Sequence, residues 1–161
     1  MTSNSERNRP GTASDPADSP VEFWSTAAIR SALQTGDISV WQQIVLAIKR
    51  DPYGRTARQV EEVLAGARPH GISTALSEVL TRSRNHLAAN EQAEVARHTR
   101  LLVQRSGLSQ QEFASRIGVP TASLVDYLDG SASPSASLMI RMRRLSDRFV
   151  KMHAERSLDV D

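Results

Sequence analysis

GLSQQEFASRIGVPTASLVDYLDG, Gly107 to Gly130, is the stretch that decides how this chain folds. Ser109 and Glu112 form an S-x-x-E pattern, in which a serine side chain caps a helix start. Phe113, Ala114 and Ile117 then fall on one helical face. Gly118 is placed to take a left-handed conformation, which strains any residue with a side chain. Pro120 and Thr121 open a second short helix, with Leu124, Tyr127 and Leu128 facing inward and Gly130 closing it. The spacing predicts two short helices joined by a tight glycine turn. Ala114 is small where the helices must cross closely, and the start of the second helix is left protruding.

Working outward, a helix is predicted from about Glu91 to Arg105, ending at Ser106-Gly107. Downstream, Pro134 and Ser135 start a long final helix. Its Leu138, Met142, Leu145, Phe149 and Met152 recur at alternating spacings of four and three, an a/d seam of about two heptads. Arg141, Arg143, Arg144, Arg148, Lys151 and Arg156 lie opposite. Leu138 to Leu145 serve the local core, whereas Phe149 and Met152 run past it. That extension suits packing on residues 21–87 and self-association equally.

The run Gly107 to Gly130 resembles the helix-turn-helix of the Cro/lambda-repressor (Xre-type) family. GLSQ is followed by A-x-x-x-G-V, an apolar residue six after the glycine, and a closing glycine. The resemblance extends from about Glu91 to Leu145 and implies a DNA-binding domain over residues 91–156. It implies that Gln110 touches a phosphate, and that Thr121, Ala122, Ser123 and Asp126 face the major groove, which is about 12 Å wide. The sequence departs from strong readers of DNA. No Arg for guanine and no Asn or Gln for adenine stands at those positions, and Val125 and Leu128 replace polar residues. Thr121 and Ser123 can bond either base type, Ala122 can touch a thymine methyl, and Asp126 can accept from cytosine. Shape readout is therefore expected to matter. Further phosphate contacts are expected from Arg100, Arg116, Ser131, Ser133, Arg141 and Arg144, each of which could equally be a solvated or salt-bridged surface residue.

Residues 1–20 are rich in Ser, Pro, Thr, Gly and Asp and read as a disordered tail; residues 157–161 read as a frayed end. From Val21 on, helical periodicity dominates. One helix is expected from Ser25 to Gln34, stopped by Gly36 and Asp37. A second begins near Ser39, with Trp41, Ile44, Val45 and Ile48 on one face. Asp51 to Gly54 is a turn. A third helix opens at Thr56, where Gln59 completes a T-x-x-Q capping box, and Gly66 ends it. After a loop to Gly71, a fourth carries Leu76, Val79, Leu80, Ser83 and Leu87. His86 to Asn90 (HLAAN) is a poor flexible linker, so this helix could run on. Gly71-Ile72-Ser73 followed by small polar residues resembles the opening of a recognition helix. Arg55, Arg58, Ser73, Thr74 and Ser77 would then form a second DNA reader; the other reading of residues 21–87 is a dimerisation or partner-binding module.

The fold class expected is all-α: a lambda-repressor-like helix-turn-helix bundle preceded by a small helical module. Seven aromatic residues are too few for a typical β-sandwich, and no period of two persists over five residues. With no cysteine, disulfides, thiol catalysis and thiolate zinc sites are excluded. The four histidines are scattered, and Asp37, Asp51, Glu61 and Glu62 join no catalytic constellation, so neither an enzyme nor a cofactor or metal is expected. No apolar run approaches the roughly 20 residues of a membrane span, and no secretory signal is expected. Of the 20 basic residues, 18 are arginine, whose planar fork suits phosphate, although base composition of the genome explains such a bias as well. The expected function is a sequence-specific transcriptional regulator of the repressor kind. It would bind double-stranded DNA as a homodimer, cytoplasmic and nucleoid-associated. The competing reading is an antitoxin-like or adaptor protein whose residues 21–87 bind a protein partner.

Overall fold

The computed structural model describes residues 19–66 and 72–158. Among these residues there are seven α-helices and no strand: α1 Thr26–Thr35, α2 Ile38–Arg50, α3 Arg55–Gly66, α4 Ile72–Ser106, α5 Gln110–Ile117, α6 Thr121–Asp129 and α7 Ala136–Leu158. A 3-10 turn, Val21–Phe23, precedes α1. No helix among the described residues is long and apolar enough to cross a membrane. The chain divides into two compact units, Met1–Asn85 and His86–Asp161.

The expected all-α class is what the chain adopts. Two local expectations need correction. His86 to Asn90 interrupts nothing, and the fourth helix and the one expected from Glu91 are a single 35-residue α4. Nothing in that segment breaks a helix, since alanine is the best helix former. The T-x-x-Q box at Thr56 does not form either. α3 starts one residue earlier, with Arg58 N donating to Gly54 O at 3.1 Å. Thr56 is buried with its hydroxyl unpartnered, and Gln59 Nε2 donates inward to Trp24 O at 2.9 Å. The tails fall mostly outside the described residues (1–18 and 159–161). Ser19 O accepts from Trp24 Nε1 at 2.9 Å, and α7 continues through Leu158.

In the first unit, side-chain caps punctuate the chain. Ser25 Oγ accepts from Ala28 N at 3.1 Å, and Asp37 Oδ1 from Ser39 N at 2.8 Å. Ile29, Leu33, Ile44, Ile48, Val60 and Leu76 make the buried centre, each worth about 1.5–3 kcal/mol relative to exposure. Arg84 of α4 ties this core together. Its Nε donates to Pro52 O at 2.9 Å, its fork takes both carboxylate oxygens of Glu61, and the guanidinium lies 4.7 Å over the Tyr53 ring.

Arg84→Ala is expected to destabilise this unit by about 1–2 kcal/mol, because several charge-assisted bonds at a partly solvated site are lost together. Arg84→Lys should recover only part, since lysine lacks the fork. Trp24 and Trp41 are the only tryptophans and both lie in this unit, so tryptophan fluorescence reports its melting alone. Arg84 also holds the Glu61 carboxyl below the usual glutamate range. The resulting stabilisation is present above the ordinary pKa of 4.5 and is lost as pH falls through the lowered value. Glu61→Gln should flatten that acid limb.

The second unit packs the end of α4, α5, α6 and α7 around Phe113, Ile117, Leu124 and Met142, all essentially inaccessible to solvent. Ser106 turns the chain out of α4. Its hydroxyl donates to Val103 O at 2.6 Å and accepts from Leu108 N at 3.2 Å. Of the expected a/d seam, Leu138, Met142 and Leu145 are buried, Phe149 is half-buried against this core, and Met152 is exposed.

Candidate nucleic-acid interface

The site begins with how α5 starts. Ser109 Oγ accepts from Glu112 N at 3.2 Å, which is one arm of the expected capping box. Glu112 does not reach back; its carboxylate holds Arg116 Nε at 2.8 Å instead. Gln110, the first residue of α5, is exposed. At the other end, Gly118 has φ +80°, and the N–H groups of Gly118 and Val119 both donate to Ala114 O at 3.0 Å. The turn therefore closes within one residue of α5 and aims the chain straight into α6. Ala114 is fully buried at this crossing.

α6 opens at Pro120, which offers no side-chain cap. Its first turn presents Thr121 and Ala122 exposed and Ser123 half-buried; Asp126 is exposed one turn on. Leu124 and Leu128 anchor the opposite side. Val125, already notable in the sequence as an apolar residue in place of a polar one, is 42% exposed. At a rotation of about 100° per residue it shares the outer face with Ala122 and Asp126.

The arginines divide by partner. Arg100 Nη1 donates to Leu128 O at the end of α6, and Arg141 Nη1 to Ile117 O at the end of α5, at 2.6 Å. Both place a cation on helix carbonyls that have no partner within the helix. They brace the ends of α6 and α5, a role sequence inspection missed because each bond joins residues more than twenty positions apart. Arg116 pairs with Glu112 and lies 5.0 Å from the centre of the Phe149 ring. Arg144 is exposed with no partner among the described residues. Ser131 directs both its N–H and its hydroxyl at Asp129 Oδ1, which holds that carboxyl below its usual range. Ser133 is exposed.

The geometry is a capped helix, a left-handed glycine and a protruding second helix start. Residues 100–145 match the helix-turn-helix family model. This segment is a helix-turn-helix domain of the Cro/lambda-repressor (Xre-type) family. Nothing among curated proteins or solved structures matches the chain. The helix-turn-helix domain makes the chain a DNA-binding regulator in the general sense. The match leaves residues 21–87 outside it. There, Arg55, Arg58, Thr74 and Ser77 are exposed and Ser73 is half-buried. Ser73, Thr74 and Ser77 stand on the first turns of the 35-residue α4, not on a short helix, and the connection at 67–71 lies outside the described residues.

Proposed function

We propose that this protein is a sequence-specific transcriptional repressor that sets the first turn of α6 into the major groove. The observation that carries this reading is the joint between α5 and α6, which leaves Thr121 and Ala122 exposed at an open helix start within the matched segment. In this reading Thr121 and Ser123 hydroxyls bond base edges, and Ala122 with Val125 meets thymine methyls. Gln110 and Arg144 hold phosphates on either side. Arg100 and Arg141 keep α5 and α6 in register.

None of these side chains makes a bidentate base contact, which is worth about 1–3 kcal/mol of discrimination. One domain therefore reads weakly, and useful affinity needs a second reading head. A homodimer on a two-fold operator supplies it, with half-sites about one helical turn apart. Occlusion of a promoter by such a dimer represses without a cofactor, and the chromosome places the protein in the cytoplasm.

A second reading rests on the same helix. The exposed side of α6 carries the carboxylates of Asp126 and Asp129 and no cation. That face suits a protein partner better than it suits phosphate, as would an adaptor whose residues 21–87 hold another protein. Binding measurements separate the two. Thr121→Ala with Ser123→Ala is expected to weaken binding to selected cognate duplex by roughly tenfold or more while leaving random duplex nearly unchanged. Gln110→Ala should weaken both alike. Equal losses on both duplexes from the paired change would remove Thr121 and Ser123 as readers. The absence of any selectable duplex would promote the adaptor reading.

A further inference from the structure

α2 is apolar on two sides. Ile44, Ala47 and Ile48 point into the core of the first unit. At about 100° per residue, Ile38, Val45 and Lys49 fall on one line outside those residues, with Trp41 and Leu46 flanking it. Trp41 and Val45 are half-buried and pack partly on the same core, whereas Ile38 and Leu46 stand clear of it. Ile38 is 74% and Leu46 59% exposed. With Gln42 and Lys49 these residues line a groove of about 630 Å³. A helix on the surface of a globular unit needs only one apolar stripe. Here the apolar surface continues outward past the core-facing residues, from Trp41 and Val45 to the exposed Ile38 and Leu46, and marks a contact surface.

The charges at the two ends of α2 select the occupant. Asp37 caps the N-terminal end, and its bonds to Ser39 hold it in the ionised form. Lys49 and Arg50 stand in the last turn. Arg50 is taken by Glu22 at 2.8 Å, whereas Lys49 is exposed with no partner among the described residues. Two α2 helices laid antiparallel about a two-fold axis bring Asp37 of each copy to Lys49 of the other, at both ends at once. They also oppose their dipoles. A parallel pair would set like charges side by side. The antiparallel arrangement puts Gln42 and Val45 next to the axis, Trp41 against the second copy's Leu46, and Ile38 along the aliphatic stem of the second copy's Lys49.

We propose that the outward face of α2 is a self-association surface through which two copies of this chain pair antiparallel. The inference rests on the homodimer in the function proposed above and gives it a seat. The alternative seat, the extension of α7, offers less. Its Phe149 packs on its own unit, flanked by Arg116 and by His153, whose ring centre is 6.3 Å away.

Sedimentation of the full chain without DNA tests the interface. The wild type is expected to be a dimer. Ile38→Asp with Leu46→Asp is expected to raise its dissociation constant on the order of 100-fold or more, with helicity unchanged because both side chains are exposed. The chain has no cysteine, so single cysteines report geometry without background. Gln42→Cys, beside the axis, should oxidise to a disulfide-linked dimer. Glu62→Cys, exposed on α3, should not. A monomeric wild type, a dimer that survives the paired aspartates, or Gln42→Cys linking no faster than Glu62→Cys would each overturn the proposal, the last two in favour of α7 or of a foreign protein on α2. If the paired aspartates unfold the chain, the cysteine comparison decides alone. Failure of the DNA reading shows separately, as a dimer that selects no duplex.

Discussion

Phe113→Ala is expected to unfold the helix-turn-helix unit while leaving the first unit standing. Phe113 is wholly buried at the centre of the second core, against α6 and α7 residues. Truncating such a ring costs about 3–5 kcal/mol through lost transfer energy and the cavity left behind. Whole domains are stable by only about 5–15 kcal/mol, and a small one lies towards the lower end. The melting transition of this unit should fall by about 15 °C or more, and DNA binding should go with it. Circular dichroism follows both units, whereas tryptophan fluorescence follows only the first. The expected signature is therefore an early loss of helicity with the fluorescence transition unmoved. Coincident transitions would mean that the two cores melt as one, through the shared α4. Phe113→Leu should restore most of the loss, because it keeps much of the volume.

Much of this unit was legible from residue order, for a local reason. Ser109, Gly118 and Gly130 act within four residues of themselves, so their chemistry can be read from spacing. Ser25 and Gly36 bound α1 in the same way. Misreadings arose where a partner is distant. Gln59 looked like the second half of a cap, yet its amide serves Trp24, 35 positions away. Arg100 and Arg141 were open between phosphate contact and surface pairing, and the carbonyl each one covers is at a helix end that only the fold brings near. The length of α4 was hidden differently: its apolar pattern loses phase between Leu87 and Leu102, because the two ends feed separate cores. Periodicity found one face of α2 and stopped, since Ile38 and Leu46 belong to a second stripe that a single-face template discards. In the candidate site, the positions at the start of α6 could be placed from the glycine turn. Which of the nearby arginines remain available to a phosphate could not, because that depends on carbonyls and carboxylates supplied by other helices.

Gly118→Val is expected to destabilise the same unit by about 1–2 kcal/mol or more, from backbone strain alone. Gly118 has φ +80° and ψ +38°. There an L-residue sets its Cβ against the following carbonyl, and a β-branched one is the worst choice. Collision is not the cause: a Cβ at this position would meet only Arg141 Nη1, at an ordinary 3.6 Å. That separates two explanations for the glycine. If space were limiting, alanine, asparagine and valine would rank by size. If conformation is limiting, Gly118→Asn should be tolerated best, because asparagine visits the left-handed region readily. Gly118→Ala should fall between, and Gly118→Val should be worst. The functional consequence is larger than the stability loss suggests. Relief of the strain rotates the peptide after Ile117, breaks the paired bonds to Ala114 O, and re-aims the first turn of α6. Cognate DNA affinity should therefore drop more steeply across the series than the melting temperature does. A valine variant with unchanged melting would show that the chain does not need a left-handed residue here, and the reading geometry built on this turn would fall with it.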